Sequence, residues 1–106
     1  MISVWHNERF LEYILLGAEA LKNTTIHLTA RVASNDLDIA YLLTNHIDTS
    51  WTNNTLVTPI NAKGGALRST SVGDVLEHET KYYVVEPCGF RELSREEQTN
   101  LTYHTI

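Results

Sequence analysis

The sequence predicts an α+β domain in which a small antiparallel sheet, with a β-hairpin late in the chain, packs against an N-terminal helix and short additional helices. Two observations predict this class. Apolar residues recur every three or four positions near the N-terminus, which is typical of a helix, and they alternate with polar residues further on, which is typical of strands. A chain of 106 residues fits one compact domain, so we expect residues 1–106 to share a single core.

The first predicted element is a helix over residues 7–23. Asn7 can accept hydrogen bonds from the first free backbone N–H groups, and Glu8 suits the positive end of the helix dipole. Gly17 weakens the middle by about 1 kcal/mol relative to alanine, and Asn23 is suited to end the helix. One stripe of side chains should be buried against the sheet, and it comprises Phe10, Leu11, Ile14, Leu15, Ala18 and Leu21.

A strand and a second helix follow. Residues 24–33 alternate between apolar side chains and the polar His27, Thr29 and Arg31, which predicts a strand with one wet face. Residues 34–46 begin with capping side chains and predict a short helix with one inner face, formed by Leu37, Ala40, Tyr41 and Thr44. The polar stretch after it is broken by Pro59 and two glycines, which predicts loops and a short strand near residues 56–58.

The C-terminal part carries the hairpin and a last helix. One strand passes through residues 75–77, the turn lies near residues 79–80, and the return strand is residues 81–86. Ser94 stands three residues before Glu97, which is the capping-box pattern at the start of a helix.

Charge and cysteine content limit the setting of the protein. The net charge is −5, with 13 acidic and 8 basic side chains, which argues against a broad phosphate-binding surface. Cys88 is the only cysteine, so no intrachain disulfide can form. No apolar run is long enough for a signal peptide or a membrane span, so we expect a cytoplasmic protein without membrane association.

No catalytic constellation is recognisable. A catalytic thiol needs a base and an electropositive setting, whereas Cys88 has the carboxylates of Glu86 and Glu92 nearby, so it is expected to be a buried or half-buried packing residue and not a nucleophile. The Gly64–Gly65 pair lacks the partners of a phosphate loop. We therefore predict a protein that is not an enzyme and that has no metal and no cofactor, although a zinc site assembled from distant parts of the chain stays open. The histidines show no pair at ligand spacing; they are His6, His27, His46, His78 and His104.

The segment STSVGDV, residues 69–75, is either a binding loop or the turn that starts a strand. Gly73 suits a turn conformation that residues with a Cβ avoid, and Asp74 can bond back to nearby backbone. We interpret the segment as the start of a strand. The alternative makes Arg68, Ser69 and Ser71 a polar binding rim, in which the guanidinium grips a carboxylate or phosphate.

The same residues carry a resemblance. RSTSVGDV at residues 68–75, followed by YYVVEPCGF at residues 82–90, resembles a pattern in small uncharacterised proteins of phages, plasmids and other mobile elements, such as YodL-like sequences. AYLLTNHID with Trp51 and Asn54 is similar to the segment upstream of that pattern. The resemblance covers residues 40–90, roughly half of the chain, and it implies a mobile-element setting without implying any catalytic residue.

The first functional hypothesis is a small acidic binding protein of a phage or mobile element. It docks on a host protein, for example a defence-system nuclease or its complex, and inhibits it. Adjacent residues of a strand face opposite sides, so we expect one of the hairpin tyrosines to be exposed unless both faces are covered. The expected binding residues are Trp51, Asn54, Arg68, Ser69, Ser71, Tyr82 and Tyr83.

Four alternatives stay open, and one of them is a small enzyme that uses Cys88 or a carboxylate. A nucleic-acid-binding module needs Arg31, Lys63, Arg68, Lys81 and Arg91 to share one face. An acidic face that mimics DNA requires the carboxylates to cluster in space. A homodimer forms if the N-terminal helix pairs with its copy instead of with the sheet.

Overall fold

A computed structural model describes residues 1–45, 56–60 and 68–105. In this part of the chain seven strands form one sheet and three α-helices flank it, which confirms the predicted α+β class. The strands are β1 Ile2–Asn7, β2 Thr25–Val32, β3 Val57–Pro59, β4 Val75–His78, β5 Lys81–Glu86, β6 Gly89–Glu92 and β7 Thr102–His104. The helices are α1 Phe10–Leu16, α2 Leu37–Thr44 and α3 Arg95–Thr99, and a 3-10 helix, Gly17–Leu21, continues α1.

The sheet is antiparallel along its main path, β3-β2-β1-β4-β5-β6. β7 lies off this path and pairs in parallel with the start of β2. β1 is therefore an inner strand, although it is absent from the predicted elements. Its sequence, ISVWHN, alternates only over residues 2–4, and five of its six residues are buried, so it lacks the sustained alternation that marks a strand with one wet face. β6 and β7, of four and three residues, are also absent from the predictions.

Two apolar clusters lie on opposite faces of the sheet. Val75 and Leu76 are adjacent in β4 but belong to different clusters, because successive side chains of a strand point to opposite sides. The first cluster receives Tyr13, Leu21 and Leu101 from the segments around α1 and α3. The second receives residues of α2. Both faces of the sheet are thus covered.

Several predicted elements are confirmed. β2 and α2 lie where the patterns predict them, and Asp36 caps α2 by accepting hydrogen bonds from the backbone of Asp38 at 2.9 Å and Ile39 at 3.4 Å. β4 and β5 form the predicted hairpin. Ser94 and Glu97 form the capping box of α3.

The N-terminal helix differs from its prediction. It begins at Phe10 because Asn7 is the last residue of β1, and there the Asn7 side chain accepts a hydrogen bond from the backbone N–H of Arg9 at 2.8 Å. It ends at Leu16 because Gly17, at φ 64°, breaks the helical path and starts the 3-10 helix.

The predicted buried stripe is wrong for most of its members. Leu11 is 63% exposed, Ile14 55% and Leu15 82%. Tyr13, which is outside that stripe, is the buried residue of α1. The side chains do recur at spacings of three and four, but periodicity alone does not say which side of the helix meets the core.

Candidate functional site

The Asp74 carboxylate organises the SVGD turn. Asp74 is fully buried, and each of its oxygens accepts a hydrogen bond from the Arg68 guanidinium at 2.7 Å. The backbone N–H groups of Asn7 and Ser71 donate to the same carboxylate at 2.8 and 2.7 Å. One side chain therefore joins the start of β4 to the end of β1.

The Arg68 guanidinium is held by the protein itself. Besides Asp74, it donates to the backbone carbonyl oxygens of Ser69 at 3.0 Å and Asn7 at 3.3 Å. Its Cζ lies 3.7 Å from the centre of the Phe10 ring, which is a cation–π contact with the first turn of α1. The chain's own carboxylate thus occupies the fork that a ligand carboxylate would use, and a role for Arg68 at a binding rim stays a prediction.

Gly73 brings the turn against α1. Its φ of +94° is a conformation that favours glycine, as the sequence predicts. A Cβ at this position would lie 2.7 Å from the Cβ of Tyr13 and 3.1 Å from the carbonyl oxygen of Phe10. The Asn7 side chain donates to the Gly73 carbonyl at 3.0 Å, which fixes the turn from the other side.

His6 is buried beside this turn. Its Nε2 lies 3.0 Å from Oγ1 of Thr70. Burial is the main cause that lowers the pKa of His6 to about 4; the Asp74 carboxylate opposes it, whereas the charges of Arg68 and His27 act in the same direction as burial. The His6 ring is therefore neutral at physiological pH.

This pKa predicts an acid-sensitive fold. Below the ordinary value of 6.5 the unfolded chain binds a proton that folded His6 does not. The free energy of unfolding is therefore expected to fall by about 2 kcal/mol between pH 6.5 and 5 through this group. Urea unfolding at several pH values checks it: His6→Gln should reduce the slope, and His78→Gln on β4 should retain it. An equal slope in wild type and His6→Gln contradicts the prediction.

The predicted binding residues that the structure describes lie in different surroundings. Arg68, Ser69 and Ser71 gather around the Asp74 carboxylate, whereas the two tyrosines lie on opposite faces of β5 and are both half-buried. Trp51 and Asn54, with His46, Lys63 and the Gly64–Gly65 pair, lie outside the described residues.

Each hairpin tyrosine has neighbours in the sheet. The Tyr82 ring lies 5.5 Å from that of Tyr103, and burial, followed by the charge of Glu77, raises the pKa of Tyr82 to about 12. Tyr83 stands opposite Leu76 and Glu92 in the adjacent strands. The sequence predicts one exposed tyrosine unless both faces of the sheet are covered. Both faces are covered, and both tyrosine rings are partly buried.

A basic residue of the nucleic-acid alternative is also engaged with carboxylates. Arg91 donates to both carboxylate oxygens of Glu97 at 3.0 Å and to Glu86 at 3.2 Å. The Arg91 hydrogen bonds lower the pKa of Glu97. Arg68 and Arg91, two of the five basic residues that the nucleic-acid alternative needs on one face, are therefore each paired with a carboxylate of the chain.

An exposed apolar ridge is the surface that the sequence pattern did not predict. We define the α1 ridge as Leu11, Ile14, Leu15 and Leu16, each of them more than half exposed. A cleft of about 320 Å³ lies beside Ile14 of the ridge and is lined by Tyr13, Ile14, Gly17, Val72, Glu86 and Pro87. Leu11, Ile14 and Leu15 are neighbours at helical spacings of three and four, and an exposed apolar patch of this kind is often functional in a soluble protein.

Cys88 and the pair His27–His104 differ from their expected surroundings. Cys88 is exposed, whereas it was expected to pack against the core, because it lies in the tight turn between β5 and β6. His27 and His104 are 77 positions apart and yet have their Nδ1 atoms 3.1 Å apart. No local spacing signals this pair, since it arises only from the pairing of β2 with β7.

Within the described ranges, no three or more His, Cys, Asp or Glu side chains form a group suited to a metal ion. The helices in this same part of the chain are all too short or too polar to span a membrane.

These features define a sheet protein of the α+β class that displays a helical apolar ridge and contains a buried, locally satisfied polar turn. Comparisons of the chain with protein-family models, with curated proteins and with solved structures found no match. The resemblance of residues 40–90 to YodL-like proteins stays a prediction.

Proposed function

We propose that this protein is a non-enzymatic docking protein that binds another protein through the α1 ridge. The observation that supports the proposal is the exposure of four large apolar side chains on one seven-residue helix. Burying a leucine fully is worth about 1.5–3 kcal/mol. A helix that leaves such side chains in water gains that free energy only when a partner covers them.

The partner is a protein with an apolar groove. Leu11, Ile14 and Leu15 stand at positions i, i+3 and i+4, which is how a helix presents anchors to a groove. From their exposed fractions, the four ridge residues can bury only on the order of a few hundred Å² of apolar surface, and burial contributes about 25 cal/mol per Å². A stable interface needs about 800 Å² from each partner, so pairing of this helix with its own copy is too small. A groove that surrounds the helix and its cleft supplies the missing area.

Charge and setting narrow the partner further. The net charge of −5 favours a groove with a basic rim, since complementary potentials speed association and exclude wrong partners. The mobile-element resemblance of residues 40–90 supports a host protein in the cytoplasm as the partner. A nuclease of a defence system, whose substrate site is basic, fits that description, and docking would inhibit it.

A ridge variant tests the proposal. Leu11→Lys with Leu15→Lys is expected to weaken binding at least about a hundredfold while stability changes little, because hot-spot anchors are lost and both residues are already exposed. The partner is first isolated from host lysate, with and without nuclease treatment, and identified. Its affinity for wild type and variant is then measured with purified proteins.

The matched control makes the same leucine-to-lysine change at two exposed positions outside α1. Leu42→Lys with Leu56→Lys alters two leucines that are 58% and 48% exposed outside α1, and it should bind like wild type. Unchanged affinity of the ridge variant contradicts the proposal. A captured signal that disappears with nuclease would instead support the nucleic-acid-binding alternative.

A further inference from the structure

Three side chains meet where β7 closes on β2. In the parallel register of these strands His27 stands beside His104, and their Nδ1 atoms are 3.1 Å apart. On the other side of the His27 ring, Nε2 lies 2.6 Å from Oε1 of Glu8. The three groups thus form a row, carboxylate to imidazole to imidazole.

We infer that His27 and His104 bind a divalent transition-metal ion of the zinc class through their Nδ1 atoms, with Glu8 orienting His27. The Glu8 carboxylate accepts a hydrogen bond, so the proton of neutral His27 resides on Nε2. The Nδ1 lone pair is then directed at His104. A carboxylate behind a ligating histidine is the usual support of protein zinc sites, because it fixes the tautomer and makes the imidazole more basic.

The separation of the rings matches a shared ion. Two nitrogens bound tetrahedrally at about 2.0–2.1 Å from one zinc ion are about 3.3 Å apart, and the centres of their rings are about 5 Å apart. The observed separations are 3.1 Å between the nitrogens and 4.9 Å between the ring centres. An opening of a few tenths of an ångström therefore completes the geometry.

The surroundings suit an accessible ion with open coordination positions. The His27 side chain is 36% exposed and His104 is also exposed, so water can fill the positions that the protein leaves. Imidazole ligands favour zinc, copper and nickel over magnesium or calcium. Two protein ligands make a weaker site than the three or four protein ligands of most zinc sites. We therefore expect zinc to bind reversibly and to link β2 to β7.

Zinc titration of the purified chain tests the site. Untagged, chelator-stripped protein carrying Cys88→Ser, which removes the exposed thiol, is titrated with zinc chloride by calorimetry. One ion per chain is expected, with a rise in melting temperature that grows with zinc concentration. In NMR spectra, zinc should shift the imidazole signals of His27 and His104 but not those of His78.

Variants separate this site from adventitious uptake. His104→Ala should remove the binding, and Glu8→Gln should weaken it about tenfold or more while leaving both ligands in place. His78→Ala is the matched control and should bind like the parent. Equal affinity in the parent and His104→Ala, or no uptake even at millimolar zinc, overturns the inference, because the nitrogen contact is then only a hydrogen bond between imidazoles.

Discussion

Asp74→Asn is expected to lower the free energy of unfolding by about 3–5 kcal/mol, the range for removing one partner of a buried ion pair. The carboxylate accepts four hydrogen bonds and is fully buried. An amide cannot accept from both ends of the Arg68 fork, because its NH₂ group is itself a donor. Domains of this size are stable by only about 5–15 kcal/mol, so the variant should be close to unfolding at physiological temperature.

Urea unfolding of wild type and matched variants measures this effect. Glu12→Gln makes the same chemical change in the Arg9–Glu12 pair, where a guanidinium nitrogen and a carboxylate oxygen are 2.6 Å apart. That pair is 34% and 50% exposed, and exposed pairs contribute about 0–1 kcal/mol. A double-mutant cycle with Arg68→Met isolates the coupling between Arg68 and Asp74. A loss below about 1 kcal/mol for Asp74→Asn, equal to that of Glu12→Gln, contradicts the prediction.

The turn illustrates what a sequence can and cannot predict. The left-handed backbone at Gly73 and the back-bonding of Asp74 follow from residue types that suit such turns, and both are confirmed. The ion pair with Arg68 was not predicted. Its partners are only six positions apart, but no turn pattern requires the guanidinium to fold back onto the carboxylate. The further bond from the Asn7 backbone to Asp74 depends on the end of β1 lying beside the start of β4, 67 positions later, and no local pattern reports that contact.

The α1 ridge illustrates a different gap. Spacing predicts an apolar stripe but leaves its orientation open, and here most of the stripe faces solvent although Leu21 is buried. Tyr13 takes the inward position because its Cβ meets the bare backbone of Gly73, while Phe10 lies under the Arg68 guanidinium. The histidine pair is a third case, since only parallel pairing of the last strand unites residues 77 positions apart.

The contacts of Gly73 and Arg68 connect the geometry of the turn to the proposed function. Both residues contact the inner side of α1, so the RSTSVGD segment acts as the seat on which the helix rests. The opposite side of α1 carries the ridge. Under the proposed function, the segment contributes to docking without touching the partner, by holding the ridge in a fixed orientation.

Gly73→Ala is accordingly expected to cost about 3 kcal/mol or more of folding stability, from backbone strain and overpacking together. A residue with a Cβ is strained at φ +94° by about 1–3 kcal/mol. The new Cβ would also lie 2.7 Å from the Cβ of Tyr13, so α1 must move outward. Tyr13→Ala cannot relieve this contact, because alanine keeps the Cβ that causes it.

Gly89→Ala is the matched control, since Gly89 has φ +112° and nothing lies within 4 Å of the place that an added methyl group would take. It carries the backbone strain without the contact, so Gly73→Ala should be the more destabilising of the two by about 1–2 kcal/mol, within the usual cost of overpacking. Hydrogen exchange should locate the excess in α1, whose amides should lose protection in Gly73→Ala and retain it in Gly89→Ala. Equal stability losses with α1 protected in both would show that the helix does not rest on Gly73, and the turn would then be separate from the ridge.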